Sequence, residues 1–156
     1  KNKRQFEEIN NGNPFYYRYD RPHEVNLLYN QEIRKGFNLA VSWIFKKGNP
    51  ITLPSGKYKL NNLNPGLEFD DNSAIIHIYP GKNQFRMRDY HRLDISLSWN
   101  YQRSQLDHTW GVGIINVYNR MNPSYYKMTV KRDGSLSLLQ VTEFPFLPSI
   151  SYSLKF

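Results

Sequence analysis

Strict alternation of apolar and polar residues constrains this chain more than any other feature. From His91 to Tyr101 the odd positions are Leu93, Ile95, Leu97, Trp99 and Tyr101, and the even ones are Arg92, Asp94, Ser96, Ser98 and Asn100. Successive side chains of a strand point to opposite faces, so this period of two gives one wholly apolar face and one wholly polar face. The final segment repeats the pattern, with Ile150, Tyr152, Leu154 and Phe156 against Ser149, Ser151, Ser153 and Lys155. Phe37, Leu39, Val41, Trp43 and Phe45 form a third such face, opposite Asn38, Ala40, Ser42 and Lys46. Val25, Leu27 and Tyr29, opposite Glu24, Asn26 and Asn30, form a fourth, and Thr109 to Asn119 is a fifth strand with Gly111 and Gly113 on its small side.

The connections between these strands alternate in length. Arg34-Lys35-Gly36 and the segment Arg103 to His108 are short, whereas the stretch from about Gly48 to Asp89 is long and broken by Pro and Gly clusters. Lys131-Arg132-Asp133-Gly134 reads as a hairpin tip, where Asp-Gly favours a type I′ turn. Ile75, Ile76 and Ile78 are expected to pair in a short extra hairpin inside the long connection. Short turns on one side and long loops on the other are the rhythm of bacterial outer-membrane barrels.

Composition agrees with strands that alternate faces. The apolar fraction is 39%, yet aromatics reach 15%, with 12 Tyr and 9 Phe. Disordered chains are poor in aromatics, so the negative mean hydropathy of −0.70 does not indicate disorder. No stretch approaches the roughly 18 apolar residues of a spanning helix, and a spanning strand needs no such stretch. Cysteine is absent, which removes disulfides and thiolate metal ligands. The chain opens on Lys1 with no apolar leader, as expected for the back part of a longer protein.

Alternation also describes a half-buried antiparallel sheet in a soluble sandwich. Two details favour a membrane barrel. The polar faces are almost free of aliphatics, as a water-filled lumen requires, and aromatics sit near the ends of the apolar faces, as an interfacial girdle requires.

The residues resemble the C-terminal portion of TonB-dependent outer-membrane receptors of the Bacteroidetes type. The matching stretches are Tyr19-Asp20-Arg21-Pro22-His23, Gly48-Asn49-Pro50-Ile51-Thr52-Leu53-Pro54, Tyr90-His91-Arg92-Leu93-Asp94, Asn116-Val117-Tyr118-Asn119-Arg120-Met121-Asn122-Pro123, and Phe144 through Phe156. The resemblance implies an all-β, antiparallel transmembrane barrel of 22 strands, of which this chain would hold about the last five. Residues 1–20 would be mainly outer loop, 48–89 a long extracellular loop and 135–156 the terminal strand. Tyr152, Leu154 and Phe156 would carry the signal read by the barrel-assembly machinery. The implied partners are outer-membrane lipid and lipopolysaccharide, the plug and remaining strands of the receptor, and the TonB complex through a part preceding this sequence. A surface lipoprotein that lids the barrel is a further implied partner, and nucleic acid is not among them.

The implied activity is active transport of a nutrient (siderophore, glycan, peptide or vitamin) across the bacterial outer membrane, without an enzyme's chemistry or a cofactor. On this reading Arg92, Asp94, Ser96, Ser98 and Asn100 line the lumen, and Leu93, Ile95, Leu97 and Trp99 meet lipid. Tyr58, Phe69, Tyr79 and Phe85, in the long loop, are candidate ligand contacts. Lys1, Lys3, Arg4, Lys131 and Arg132 fall on the outer side.

The other chemistry is thin. The chain has 4 histidines, none spaced as a helical metal pair, and His23 and His91 are expected to make hydrogen bonds at the rim. Serines abound without a nucleophile elbow. Glu68, Asp70 and Asp71 lack the spaced oxygens of an EF-hand, which leaves a solvated loop as their expected role. The net charge of +8, with Arg86, Arg88 and Arg92 around Tyr90 and His91, keeps one alternative open: a soluble, basic β-rich module that binds polyanions.

Overall fold

A computed structural model describes residues 1–59 and 75–156. The chain is all-β with antiparallel pairing. Its strands are β1 Lys3–Arg4, β2 Phe15–Tyr16, β3 Glu24–Arg34, β4 Phe37–Lys46, β5 Pro50–Ile51, β6 Gly56–Lys59 and β7 Ile75–Ile78. They continue with β8 Phe85–Arg86, β9 Tyr90–Arg103, β10 Leu106–Ile115, β11 Pro123–Val130, β12 Leu136–Thr142 and β13 Leu147–Lys155. The described chain divides into two compact units.

The larger unit (residues 21–48, 88–128 and 138–156) is built on one 5-stranded sheet in the order β13-β10-β9-β4-β3. The five alternating segments of the sequence are the five strands of this sheet. β3 and β13 are its edges, so the sheet is open and no closed barrel forms from the described residues. Two tight turns lie at one end. Lys35-Gly36 joins β3 to β4, with Gly36 at φ +77° and its carbonyl accepting the Asn100 N–H at 2.7 Å. Ser104-Gln105 joins β9 to β10, shorter than the expected connection from Arg103 to His108. Both of its residues have positive φ, +49° and +65°, the backbone of a type I′ turn.

Three expectations need correction. Residues 135–156 are two strands: β12 pairs with β11, and β13 pairs with β10. Pro145, which has no N–H to donate, lies in the break between them. The strand expected over Thr109 to Asn119 runs from Leu106 to Ile115 and stops where Asn116 turns left-handed at φ +57°. The Asp133-Gly134 tip is not type I′. Gly134 alone has positive φ, its N–H bonds the Lys131 carbonyl at 2.9 Å, and the Asp133 carboxylate accepts the Ser135 N–H at 2.8 Å.

Asparagines organise the end of β10. Asn116 is fully buried, and its side-chain amide donates to the carbonyls of Arg120 and Phe144 at 2.9 and 3.0 Å. Its own N–H reaches Asp94 Oδ1 at 2.9 Å, and its Oδ1 accepts the Arg120 N–H at 3.0 Å. Asn122, also buried, bonds both the N–H and the carbonyl of His91, at 3.0 and 2.8 Å. Side chains thus replace the ladder where the strand has ended, which is how buried backbone groups stay satisfied outside a sheet.

The smaller unit (residues 1–20, 49–87 and 129–137) holds the pairs β1-β2, β5-β8 and β6-β7. The stretches expected as outer loops therefore carry short strands, and Ile75, Ile76 and Ile78 do pair in a hairpin, with Gly56–Lys59. Its centre is Asp20, 4% exposed, whose carboxylate takes the Arg86 guanidinium and the Asn2 N–H. Those hydrogen bonds, that of Asn2 foremost, hold the carboxyl below its ordinary range. Phe15, 5% exposed, and Pro50 are buried apolar side chains of this unit.

Candidate functional site

The register of the large sheet sorts its side chains into rows. On one face Leu39, Leu97, Val112 and Ile150 are consecutive partners across β4, β9, β10 and β13. The next row toward the long loops is Tyr29, Val41, Ile95, Ile114 and Pro148, followed by Leu27, Trp43 and Leu93. Toward the short turns come Phe37, Trp99, Trp110 and Tyr152, then Tyr101, His108 and Leu154. The face is apolar apart from Gln31, His91 and His108, and no second layer covers it among the described residues. Leu97 and Val112, on the inner strands β9 and β10, are 37% and 52% exposed, and Leu27 and Ile150, on the edge strands, 58% and 74%. In a sandwich these positions would be core.

Aromatics rim this face at both ends. At the short-turn end the ring of Tyr101 stacks on His108 with centroids 4.7 Å apart, Trp99 lies 4.9 Å from Tyr101, and Trp110 lies 4.6 Å from Tyr152. His108 Nδ1 and the Tyr152 hydroxyl are 2.8 Å apart. At the long-loop end Trp43 stacks with Phe45 at 6.1 Å, and His91 Nδ1 meets the Tyr118 hydroxyl at 2.9 Å, the rim hydrogen bond expected of this histidine. The interval from His91 to Tyr101 on β9 spans about 34 Å along the strand.

The opposite face is polar and small. Asn38, Ser98, Gly111 and Ser151 are consecutive partners, as are Ala40, Ser96, Gly113 and Ser149. Arg92 and Asp94 pair on this face at 2.9 Å, and Leu28, Ile44, Ile115 and Leu147 are among its apolar interruptions. Toward the short turns Asn100, Gln102, Asp107, Thr109, Ser153 and Lys155 line a shallow depression of about 490 Å³. The sequence-predicted set Arg92, Asp94, Ser96, Ser98 and Asn100 thus shares one face, and Leu93, Ile95, Leu97 and Trp99 share the other. Tyr152 and Leu154 continue the apolar face on edge strand β13, and Phe156 follows it, 98% exposed.

The candidate loop contacts do not converge. Tyr58 on β6, Tyr79 after β7 and Phe85 on β8 are half-exposed, with no ring contact among the three in the described residues. Phe69, like Glu68, Asp70 and Asp71, lies outside the described residues. Of the basic candidates, Arg86 is tied to Asp20 and Arg92 to Asp94. No group of three His, Cys, Asp or Glu is placed to hold a metal among the described residues.

Sequence reasoning missed one row. The Lys47 N–H donates to the His23 carbonyl at 2.9 Å, so the β3-β4 register continues past Val25 and Phe45. Lys47 therefore follows Phe45 on the apolar face, and Asp89 stands opposite it with Oδ2 at 2.9 Å from Nζ. A charged pair directly succeeds the aromatic rim. The shared odd parity of Phe45 and Lys47 is the signal that marks it in the sequence.

No protein-family model matches the chain, and neither a curated protein nor a solved structure is significantly similar to it.

Proposed function

We propose that the chain is the C-terminal wall of an outer-membrane β-barrel importer of the TonB-dependent type, with the apolar face toward lipid and the polar face toward the lumen. One observation carries the reading: an uncovered apolar face runs across five strands and is rimmed by aromatics at both ends. Strands of a barrel wall tilt by about 40° from the membrane normal, and at that tilt the aliphatic rows and rims would cover about 26 Å of it, against an apolar band of about 25 Å in outer-membrane barrels. Alternate Ser, Gly, Asn and Ala on the other face suit a wetted lumen. The two open edges call for further strands, since unpaired backbone groups in lipid cost several kcal/mol each.

In this reading the chain performs no covalent chemistry. Its share of transport is to form wall and outer loops, while the plug and the TonB-coupling segment belong to the part of the receptor that precedes it. The cargo is a scarce nutrient, received at the outer loops.

The test is a paired substitution on neighbouring residues of β9. Arg on the lipid face near midplane costs about 2–4 kcal/mol, so Leu97→Arg is expected to block membrane insertion while Ser96→Arg is tolerated. Equal behaviour of the two in a membrane-insertion assay overturns the facing. The competing reading, a soluble polyanion-binding module, requires a monodisperse chain in plain buffer and salt-sensitive binding to DNA or heparin.

A further inference from the structure

We propose that the charged row beyond the long-loop aromatic rim is a binding site for the phosphate of a lipid headgroup, formed by Lys47 and Arg120 with His91 beside them. The inference rests on the lipid-facing reading of the apolar face and names the ligand of its upper edge.

The geometry brings these three residues into one network. Asp89 supplies a single carboxylate, which takes Lys47 Nζ at 2.9 Å and the Gly48 N–H at 3.1 Å. Arg120 reaches the main-chain carbonyl of Asp89 through Nη2 at 3.0 Å, not its carboxylate. Its Nε donates to Asn122 Oδ1 at 3.2 Å, the same atom that accepts the His91 N–H. The guanidinium has no carboxylate within ion-pair distance among the described residues, and Nη1 has no hydrogen-bond partner there. Two permanent cations therefore face one anion, with the imidazole of His91 alongside.

Position selects the ligand. Lys47 follows Phe45 on the apolar face, so the network begins where the aromatic rim ends. That is the depth at which headgroups sit when such a rim marks the membrane interface. A phosphate there offers oxygens to the donors of Arg120 and a charge to Lys47, in charge-assisted bonds that no uncharged headgroup can make. Buried Asn122, bonded to both His91 and Arg120, holds the guanidinium side of the site in place before any lipid arrives.

The test measures partition of the chain between detergent and vesicles of phosphatidylcholine, with or without phosphatidic acid. Phosphatidic acid is expected to tighten association roughly fivefold to tenfold, from about 1 kcal/mol per uncompensated basic residue near a charged surface. Lys47→Gln and Arg120→Gln should each abolish that gain, Lys47→Arg should keep it, and Lys155→Gln at the other end of the sheet should leave it unchanged. Equal partition into both vesicle types, or an equal gain in wild type and Lys47→Gln, overturns the site while leaving the lipid-facing reading intact. A gain that millimolar inorganic phosphate removes equally from wild type and Lys47→Gln also overturns it. A wild type that stays monodisperse in plain buffer and associates with neither vesicle overturns the lipid-facing reading itself.

Discussion

Asp89 and Lys47, 42 residues apart in sequence, close the neck of the long excursion: the carboxylate holds the ammonium at 2.9 Å and the adjoining Gly48 N–H at 3.1 Å. Everything from 48 to 88 leaves and re-enters the large sheet through this pair. One row further out, the Met87 N–H bonds the Asn49 carbonyl at 2.9 Å, so the two strands of the neck stay paired as they depart.

The neck should weaken in acid. The hydrogen bond from Lys47, and after it that from Gly48, hold the Asp89 carboxyl below the ordinary value of 3.8, against an opposing effect of burial. A group whose folded pKa is depressed contributes its stability above the unfolded value and loses it as pH falls through the folded one. Asp89→Asn should therefore cost about 1 kcal/mol at neutral pH, the scale of a partly exposed pair. The difference from wild type should shrink as pH falls below 3.8 and disappear once it has passed through the depressed folded value. Urea unfolding in detergent across pH 2–7 measures it.

Asn116 should tolerate no replacement. It is 0% exposed, left-handed, and satisfies four backbone or carboxylate groups. Asn116→Ala strands the Arg120 and Phe144 carbonyls at about 1–3 kcal/mol and adds about 1 kcal/mol for a left-handed Ala. Asn116→Gly relieves only the second cost, so it should fall between Ala and wild type in unfolding midpoint.

Gly36 should be as intolerant, for a different reason. It has φ +77°, and a Cβ there would collide with the carbonyl oxygen of Asn100, a backbone atom that cannot rotate away. Gly36→Ala should lower stability by more than the roughly 1–2 kcal/mol of a left-handed residue alone. Gly134 has a similar φ but open space around it, so Gly134→Ala should cost only the conformational part. Comparing the two unfolding midpoints separates collision from strain.

The turn at Ser104-Gln105 should be improvable. Two residues without left-handed preference hold φ of +49° and +65°. Asn-Gly is the favoured pair for this backbone, so the double substitution Ser104→Asn with Gln105→Gly should stabilise by about 1–2 kcal/mol. An unchanged unfolding midpoint would show that the turn is not type I′ in solution.

The sequence by itself determined the faces. A period of two carries the same information in one dimension as the pleat does in three, so Leu97 and Ser96 could be assigned to opposite faces, and five strands counted, before any pairing was known. It located the 36 and 134 turns through glycine, whose backbone freedom is local. Tertiary structure alone decided what depends on partners far away in sequence. β13 passes over β12 to pair with β10, because hydrogen-bond ladders join segments that no local preference links. Ser104-Gln105 is held in a type I′ backbone by the register on either side of it, while Asp133-Gly134, with the stronger local preference, adopts another turn. Asn116 and Asn122 look like ordinary polar residues until the end of β10 leaves carbonyls without a ladder. Lys47 looks like a solvated charge until register sets it above Phe45 and opposite Asp89. Alternation is a property of each segment, whereas rows, edges and ion pairs belong to the sheet.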